Sequence, residues 1–475
     1  IREDGDTSLK TLINLDIDEN RSLRPLDSEE TELKEKVRKR KDKNKEQGEE
    51  EHIIYSWKQL IEDGKNAIAL GDRQFIDAEV LGTDPAVILY TSGTTGFAKG
   101  VVLTHRNIVD DLMMAPTILN VNPEDIFFSV LPVHHTYECT CAFLMPLYKG
   151  ASIAFCEGLK YITKNLQEIR PTMLLGVPVL IETLYKKIWK TAKSEGKDKK
   201  LEKLMKLNKK TKKLNINIAK KLAKDILDVF GGRMRVLISG GAAIDPKILQ
   251  FFNDLGIIAV QGYGLTECSP MTALNPDVEK DMKNESVGHL LPGMKVKIVD
   301  ADEEGIGEIC FKGPNVMLGY YNNQEATDEV LKDGWFHTGD LGRVDTDSFI
   351  YITGRKKNVI ITENGKNVFP EELEYELSHI PYIAESMVWG DNEGEGVNST
   401  TIAATVTLDD DEVKEALGEE YTDEQAQNLV WGEIDKINER LPLFKKIKKL
   451  NIRKTDFNKT TGMKIKRFVE SNKDA

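Results

Sequence analysis

AVILYTSGTTGFAKGVVLT, residues 86–104, decides how the rest of the chain is read. A short apolar run, AVILYT, enters a loop of small residues, and a second apolar run, VVLT, leaves it, the signature of strand, loop, strand. Inside the loop, Gly93 and Gly96 free the backbone to curl so that successive N–H groups face one cavity. Thr91, Ser92, Thr94 and Thr95 add hydroxyl donors, and Lys99 adds a full positive charge. That donor set suits the β and γ phosphates of a nucleotide, although a polar surface turn has the same composition. It is not the phosphate loop of kinases and GTPases, G-x-x-x-x-G-K-[ST]. Counting from Gly93 puts Ala98 where the second glycine belongs, and Gly100 stands where a magnesium-binding Ser or Thr should follow Lys99.

The bulk composition narrows the classes. With 475 residues, 40% hydrophobic and 30% charged, the chain is expected to form two or more globular domains. The most apolar stretch, PTMLLGVPVLIETL, carries two prolines and is too short to span a bilayer. IREDGDTSLK at the start lacks a basic-then-apolar leader pattern. Five cysteines (139, 141, 156, 268 and 310) make neither a zinc spacing nor a disulfide set, which points to a reducing cytoplasm. A net charge of −13 argues against a nucleic-acid partner.

Along the chain, 1–60 is a charged lead-in whose segment 29–51 is almost wholly charged, expected as a solvated helix or a connector. Strands are expected at DIFFSVLP, ASIAFC, TMLLGVP, RVLISGG and IIAVQGYG, with helices such as HRNIVDDLMMA and DPKILQFFNDLG between them. In the latter, Asp245 suits the N-cap and Pro246 the first turn. This alternation implies a layered α/β domain with loops gathered at its strand ends. Residues 186–224 hold sixteen lysines against three acids, predicting a pair of solvated amphipathic helices or a surface for anionic lipid or an acidic carrier protein. Beyond residue 343 the texture changes to a hairpin-like FIYITGRKKNVIIT, a helix PEELEYELSHI and a lysine-rich tail, expected as a smaller second domain.

Further chemistry-bearing segments follow the loop in order. QGYGLTE (261–267) ends a strand with Gln261, Gly262, Tyr263 and Gly264. Tyr263 suits stacking on a purine, Thr266 a phosphate, and Glu267 a magnesium ion through hard oxygens. WFHTGD places Asp340 after a glycine turn, where a carboxylate accepts both hydroxyls of a ribose. GRKKNVI supplies the fork of Arg355, and NKTTGMKIKR supplies Lys464 on a glycine-bearing turn. Each has a plain alternative: a turn residue, a surface ion pair, one charge in a basic tail. Five in this order point to one nucleotide site.

YTSGTTGFAKGVVLTHRN, GYGLTE, TGD, GRKKNVIITENGKNVFPEELE and TTGMKIKR resemble the motifs of the AMP-forming acyl-CoA synthetases, the adenylate-forming superfamily, from about residue 60 to the C-terminus. LPVHHTYECTCAFLMPLYKGASI, PTMLLGVP and the lysine-rich segment are most similar to the long-chain fatty acid–CoA ligases. The resemblance implies a large α/β N-terminal domain over 1–356, incomplete at its start, and a small mobile α+β lid over 357–475. It implies ATP, magnesium and coenzyme A as reactants: a fatty carboxylate attacks the α-phosphorus to give acyl-AMP and pyrophosphate, then the thiol of coenzyme A displaces AMP. Residue by residue it makes Lys464, Glu267 and His135 catalytic, His135 also the acyl gate, Gly241 and Ala242 the adenine wall, Lys357 the hinge, and Gly365 the opening for pantetheine. In relatives restricted to acetate the position of Gly264 is a bulky aromatic, so glycine there implies an open acyl pocket. His134 and His135 have the alternative of a satisfied core pair.

The chain departs from the pattern at Ala98, where proline is usual, and in GMK where many members have GK, so Lys459 competes with Lys464 for the catalytic assignment. It also lacks much of the segment that precedes the loop in relatives. Two other readings stay open: an acyl–carrier-protein synthetase, and a truncated nucleotide-binding relative without turnover. The expected location is cytoplasmic, peripheral at a membrane if the basic segment binds lipid.

Overall fold

The computed structural model describes residues 11–14, 53–91, 98–211, 228–362, 366–391, 400–459, 465–467 and 469–474. The chain divides into two compact units, 1–80 and 81–475. In the first, β1 (Thr11–Asn14) pairs in parallel with β2 (Ile53–Ser56), which leads into the helix Trp57–Ala69. The charged segment 29–51 lies outside the described residues.

The second unit begins with the stretch that opened the sequence. β3 (Pro85–Thr91) and β4 (Lys99–Thr104) form an antiparallel pair in which Thr91 stands opposite Lys99. Thr104 then caps the helix His105–Met114 through a reciprocal capping box with Asn107. Next come β5 (Ile126–Ser129), β6 (Ser152–Phe155), β7 (Met173–Gly176), β8 (Val236–Ser239) and β9 (Ile258–Gly264), followed by β10 (Met271–Leu274) and β11 (His289–Leu290). They build one seven-stranded sheet in the order β11-β10-β9-β8-β7-β5-β6, parallel from β9 to β6 and antiparallel at the β10–β11 end.

The parallel strands are apolar on both sides, as a sheet covered on both faces requires. Phe128, Leu174, Leu237 and Ala259 enter one core, with the helices Ile162–Ile169, Pro178–Ser194, Asp198–Thr211 and Pro246–Leu255. Their neighbours Phe127, Met173, Leu175, Val236, Ile238 and Val260 enter the other, facing an antiparallel sheet. The period of two assigns each side chain to its core. That second sheet has the order β12-β13-β16-β15 with β17 on the other side of β16, from β12 (Lys295–Val299), β13 (Gly307–Lys312), β15 (Leu331–Lys332), β16 (Trp335–Val344) and β17 (Ile350–Arg355). β14 (Gly319–Tyr320) joins β4 in a third small sheet.

Asp245 caps the helix Pro246–Leu255 by accepting from the Lys247 N–H, and Pro246 opens its first turn, as the sequence predicts; Gly256 closes it in the left-handed region. The basic segment forms two helices, Pro178–Ser194 and Asp198–Thr211, and residues 212–227 lie outside the described set. Ile181, Leu184, Ile188 and Ala192 turn the apolar face of the first into the core, leaving its lysines to solvent.

FIYITGRKKNVIIT is not a hairpin. β17 pairs with β16 (Asp340 opposite Arg355), whereas β18 (Ile360–Ile361) pairs with β19 (Asn367–Val368). A short 3-10 turn at Lys356–Asn358 separates the two sheets. After it, the helix Pro370–Leu377, β20 (Ile383–Asp391), β21 (Thr401–Leu408), the helices Asp410–Leu417 and Asp423–Arg440, and β22 (Lys449–Arg453) enclose a core whose members among the described residues all follow the turn, from Ile360 to Ile452.

Candidate active site

The C-terminal ends of the parallel strands lie level: Gly176 pairs with Ser239, and Ser239 with Gln261. Ligands of open α/β sheets bind at this edge. The Tyr137 hydroxyl donates to the Ile238 carbonyl at 3.1 Å, and a Cβ on Gly240 would meet its ring at 2.8 Å. This contact packs Tyr137, two residues after His135, against Gly240 just after β8. His134 and His135 are both exposed, which removes the core-pair reading, and Gly241 takes a φ of +84°, natural to glycine. The helix that follows, Tyr137–Leu144, is π-helical, a local distortion common at functional sites. Its Glu138 is fully buried and accepts from the Ser129 hydroxyl at the end of β5. Burial raises that carboxyl to about 7 against the pull of the Ser129, Val130 and Leu131 donors.

β9 delivers the rest. The Gln261 amide donates to the Asn284 carbonyl at 2.7 Å, and the Gln261 carbonyl accepts from the Asn275 backbone N–H at 3.2 Å. The Tyr263 hydroxyl donates to one oxygen of Asp340, and Arg355 Nε stands 2.7 Å from the other. Asp340 is 3% exposed, and Thr338 holds its turn by accepting from the Asp340 N–H at 3.0 Å. Burial, then the Asp340 charge, keeps the Tyr263 phenol protonated, far above its usual range.

The loop after β9 carries Thr266 and Glu267 on a single 3-10 turn. Glu267 accepts from the Tyr320 hydroxyl at 2.9 Å, and the Lys99 ammonium sits 4.9 Å above the same tyrosine ring. Tyr320 is therefore the joint between the glycine-loop lysine and the Glu267 carboxylate. The packing explains why they meet. Asn107 and Asp111, on the helix that follows the loop, bond the carbonyls of Pro314 and Val316 and the Asn315 amide. The Met317 N–H reaches the Glu267 carbonyl, and the Tyr321 N–H reaches the Gly100 carbonyl at 2.7 Å. Lys357 adjoins the same charges: partial desolvation, then Arg355 and Lys99, push its ammonium below the ordinary lysine value.

Of the residues expected from sequence, Lys99, Tyr263, Glu267, Asp340, Arg355 and Lys357 thus converge. Thr91 lies at the loop entrance, its hydroxyl 3.4 Å from the Lys99 carbonyl. Ser92, Gly93, Thr94, Thr95, Gly96, Gly365 and Lys464 lie outside the described residues. The rival Lys459 is 2.6 Å from Glu385. Gly264 needs a different explanation from the one the sequence offered: a Cβ there would lie 2.2 Å from the Pro270 carbonyl oxygen. The backbone itself demands glycine, so its presence is no measure of acyl-pocket depth. Tyr320 and Glu308, whose carboxylate faces Gly339, escaped the sequence reading because no spacing links them to the motifs; the two-residue β14 brings Tyr320 in by pairing with β4.

The donor set fits Mg-ATP. A carboxylate offers about four lone-pair sites, so Asp340 retains acceptor capacity for ribose hydroxyls beside Tyr263 and Arg355. Glu267, half-buried beside a lysine, is a hard-oxygen ligand suited to magnesium.

Residues 6–321 match the family described as AMP-binding enzyme. A long-chain-fatty-acid–CoA ligase FadD15 from Mycobacterium tuberculosis is 30% identical over 431 residues, covering 84% of this chain and 69% of that protein. Fatty acyl-CoA synthetase A of Dictyostelium discoideum is 34% identical over 331 residues, 65% of this chain and 49% of that one. Among solved structures, ATP-bound MatB from Rhodopseudomonas palustris superposes with a TM-score of 0.64 at 27% identity, covering 86% of this chain and 72% of that one. With residues 6–321, more than half its length, inside the family's span, the chain belongs to the AMP-binding enzymes.

Proposed function

We propose that this protein activates a long-chain fatty acid with Mg-ATP, giving acyl-AMP and pyrophosphate, and transfers the acyl group to coenzyme A with release of AMP. The observation that carries the proposal is the convergence of Lys99, Tyr320 and Glu267 with Tyr263, Asp340 and Arg355. The names of the mycobacterial and Dictyostelium relatives supply the substrate class.

The first step brings a carboxylate onto a polyanion, so the barrier is chiefly electrostatic, and each preorganised charge aimed at the developing transition state contributes roughly 3 kcal/mol. Glu267 would hold the metal, Lys99 the leaving pyrophosphate, and Asp340 and Arg355 the ribose. Thr266 and residues 92–96 would line the phosphates, Gly241 and Ala242 the base, and His135 the acyl entrance. Magnesium, when bound, neutralises charge on the departing phosphates. This first step needs no proton transfer; in the second, the thiol gives up its proton as the thioester forms.

The two steps call for two poses of a small domain, 357–475, about Lys357. The separate core after the 356–358 turn, and the assignment of β17 and β18 to different sheets, support that boundary. One pose would present Lys464, the other Gly365. The exposed lysines of Pro178–Ser194 and Asp198–Thr211 suit peripheral attraction to an anionic membrane or an acidic carrier protein. Because the first helix spends its apolar face on the core, that contact would be electrostatic rather than insertive. No helix among the described residues is long and apolar enough to cross a membrane.

ATP–pyrophosphate exchange driven by acids from acetate to stearate tests the reading. Exchange is expected to rise with chain length, since each buried methylene contributes about 0.8 kcal/mol. Preference for acetate would contradict the substrate class, and absence of exchange with every acid would favour a non-catalytic relative. Supplying coenzyme A or a carrier protein afterwards identifies the acceptor.

A further inference from the structure

Glu308 has no part in the chemistry above, yet its carboxylate joins two elements that the chemistry needs. It lies on β13 and is 8% exposed. Oε1 accepts from the Gly339 N–H at 3.1 Å, inside the turn that presents Asp340. Oε2 accepts from Lys356 Nζ at 3.0 Å, at the hinge, and lies 3.3 Å from His337 Nδ1. Gly339 takes a φ of +69°, a left-handed turn that external hydrogen bonds must fix.

Three cations in succession, Arg355, Lys356 and Lys357, repel one another at the hinge. Asp340 compensates the first and Glu308 the second. Burial opposes ionisation of Glu308, but the Lys356 and His337 donors prevail and hold its carboxyl below the usual range. The same face holds three potential metal donors, because Cys310 and His337 are cross-strand partners and Glu308 is two residues away, all within 4.8 Å. A metal is the weaker reading. Lys356 already neutralises Glu308, and burial, then Glu308 itself, pushes the Cys310 thiol up to about 11.

We propose that Glu308 is a positioning residue coupling nucleotide binding to domain alternation: one oxygen sets the Gly339–Asp340 turn for the ribose, and the other anchors Lys356, the last large-domain residue before the hinge about which the small domain turns. The inference rests on the proposed function. Lys356 immediately precedes Lys357, so its bond to Glu308 ties the large-domain end of the hinge to β13. The Lys356 side chain is 56% exposed, so the pair steadies the hinge without contributing much to global stability.

Two quantities separate the roles: the KM for ATP in pyrophosphate exchange, and the ratio of thioester formation to exchange. Glu308→Ala is expected to raise the KM about tenfold or more and to shift the ratio. Glu308→Gln keeps the Gly339 acceptor, so its KM should stay within about threefold of wild type while the ratio shifts at least about threefold. Lys356→Ala should shift the ratio in the same direction with little change in KM, and add nothing in the Glu308→Gln background. An unchanged KM in Glu308→Ala would overturn the proposal, as would KM and ratio moving together in every variant, the mark of a merely damaged fold. A wild type without acid-dependent exchange would instead refute the function on which the inference rests.

Discussion

Lys464→Ala should lower fatty-acid-dependent pyrophosphate exchange by about 10²–10³-fold while ATP binding largely survives. The reason lies in the division of charge. Lys99, Glu267, Asp340 and Arg355 already converge without the C-terminal segment, so they suffice to hold the nucleotide. What they do not supply is a cation shared between the incoming carboxylate and the α-phosphate, which develops its role only as the new bond forms. Removing an interaction confined to the transition state lowers kcat and kcat/KM together and spares affinity. Lys459 is the control. Its ammonium is 2.6 Å from Glu385 on β20, and its side chain is 18% exposed, so it is committed to an ion pair with that strand. Lys459→Ala should leave exchange within severalfold of wild type. Loss in that variant, with Lys464→Ala unaffected, would transfer the role to Lys459.

The second large effect concerns stability and pH. Burial raises the Glu138 carboxyl from 4.5 to about 7. Between these values the folded protein keeps the proton while the unfolded chain has lost it, so unfolding releases a proton and stability falls as pH rises. The loss begins near the unfolded value and is complete above about 7, amounting to about 3 kcal/mol. Tyr137 and Cys141 face the same carboxyl and stay neutral, so they do not offset it. Glu374, buried against Arg467, is raised to about 7 as well and steepens the wild-type curve in the same window. Glu138→Gln removes only its own share. Denaturant unfolding at pH 5 and pH 8 should show the stability difference moving about 2–3 kcal/mol in favour of the variant at the higher pH. A difference independent of pH would contradict this account of Glu138.

Local signals carried much of the fold. DPKILQFFNDLG announces its own cap and first turn, and both act as expected. The alternation of strands and helices announced a layered α/β domain, and the seven-stranded sheet covered on both faces is that domain. The hairpin expected at FIYITGRKKNVIIT failed for an instructive reason: alternation describes each strand but says nothing of its partner, and here the two strands belong to different sheets. Gly264 was explained by the pocket when the Pro270 carbonyl, close only in the folded chain, is what excludes a side chain. Tyr320 and Glu308 were invisible because tertiary pairing alone brings them to the site. The π-helix at Tyr137–Leu144 has the composition of an ordinary helix and left no mark in the sequence.

Hydrogen exchange with and without Mg-ATP tests most directly whether the dispersed segments serve one nucleotide. Protection is expected together at 98–101, 261–267, 338–341 and 354–357, rising with the same dependence on ATP concentration. Protection confined to one of these segments, or appearing at each with a different concentration dependence, would contradict a single shared site.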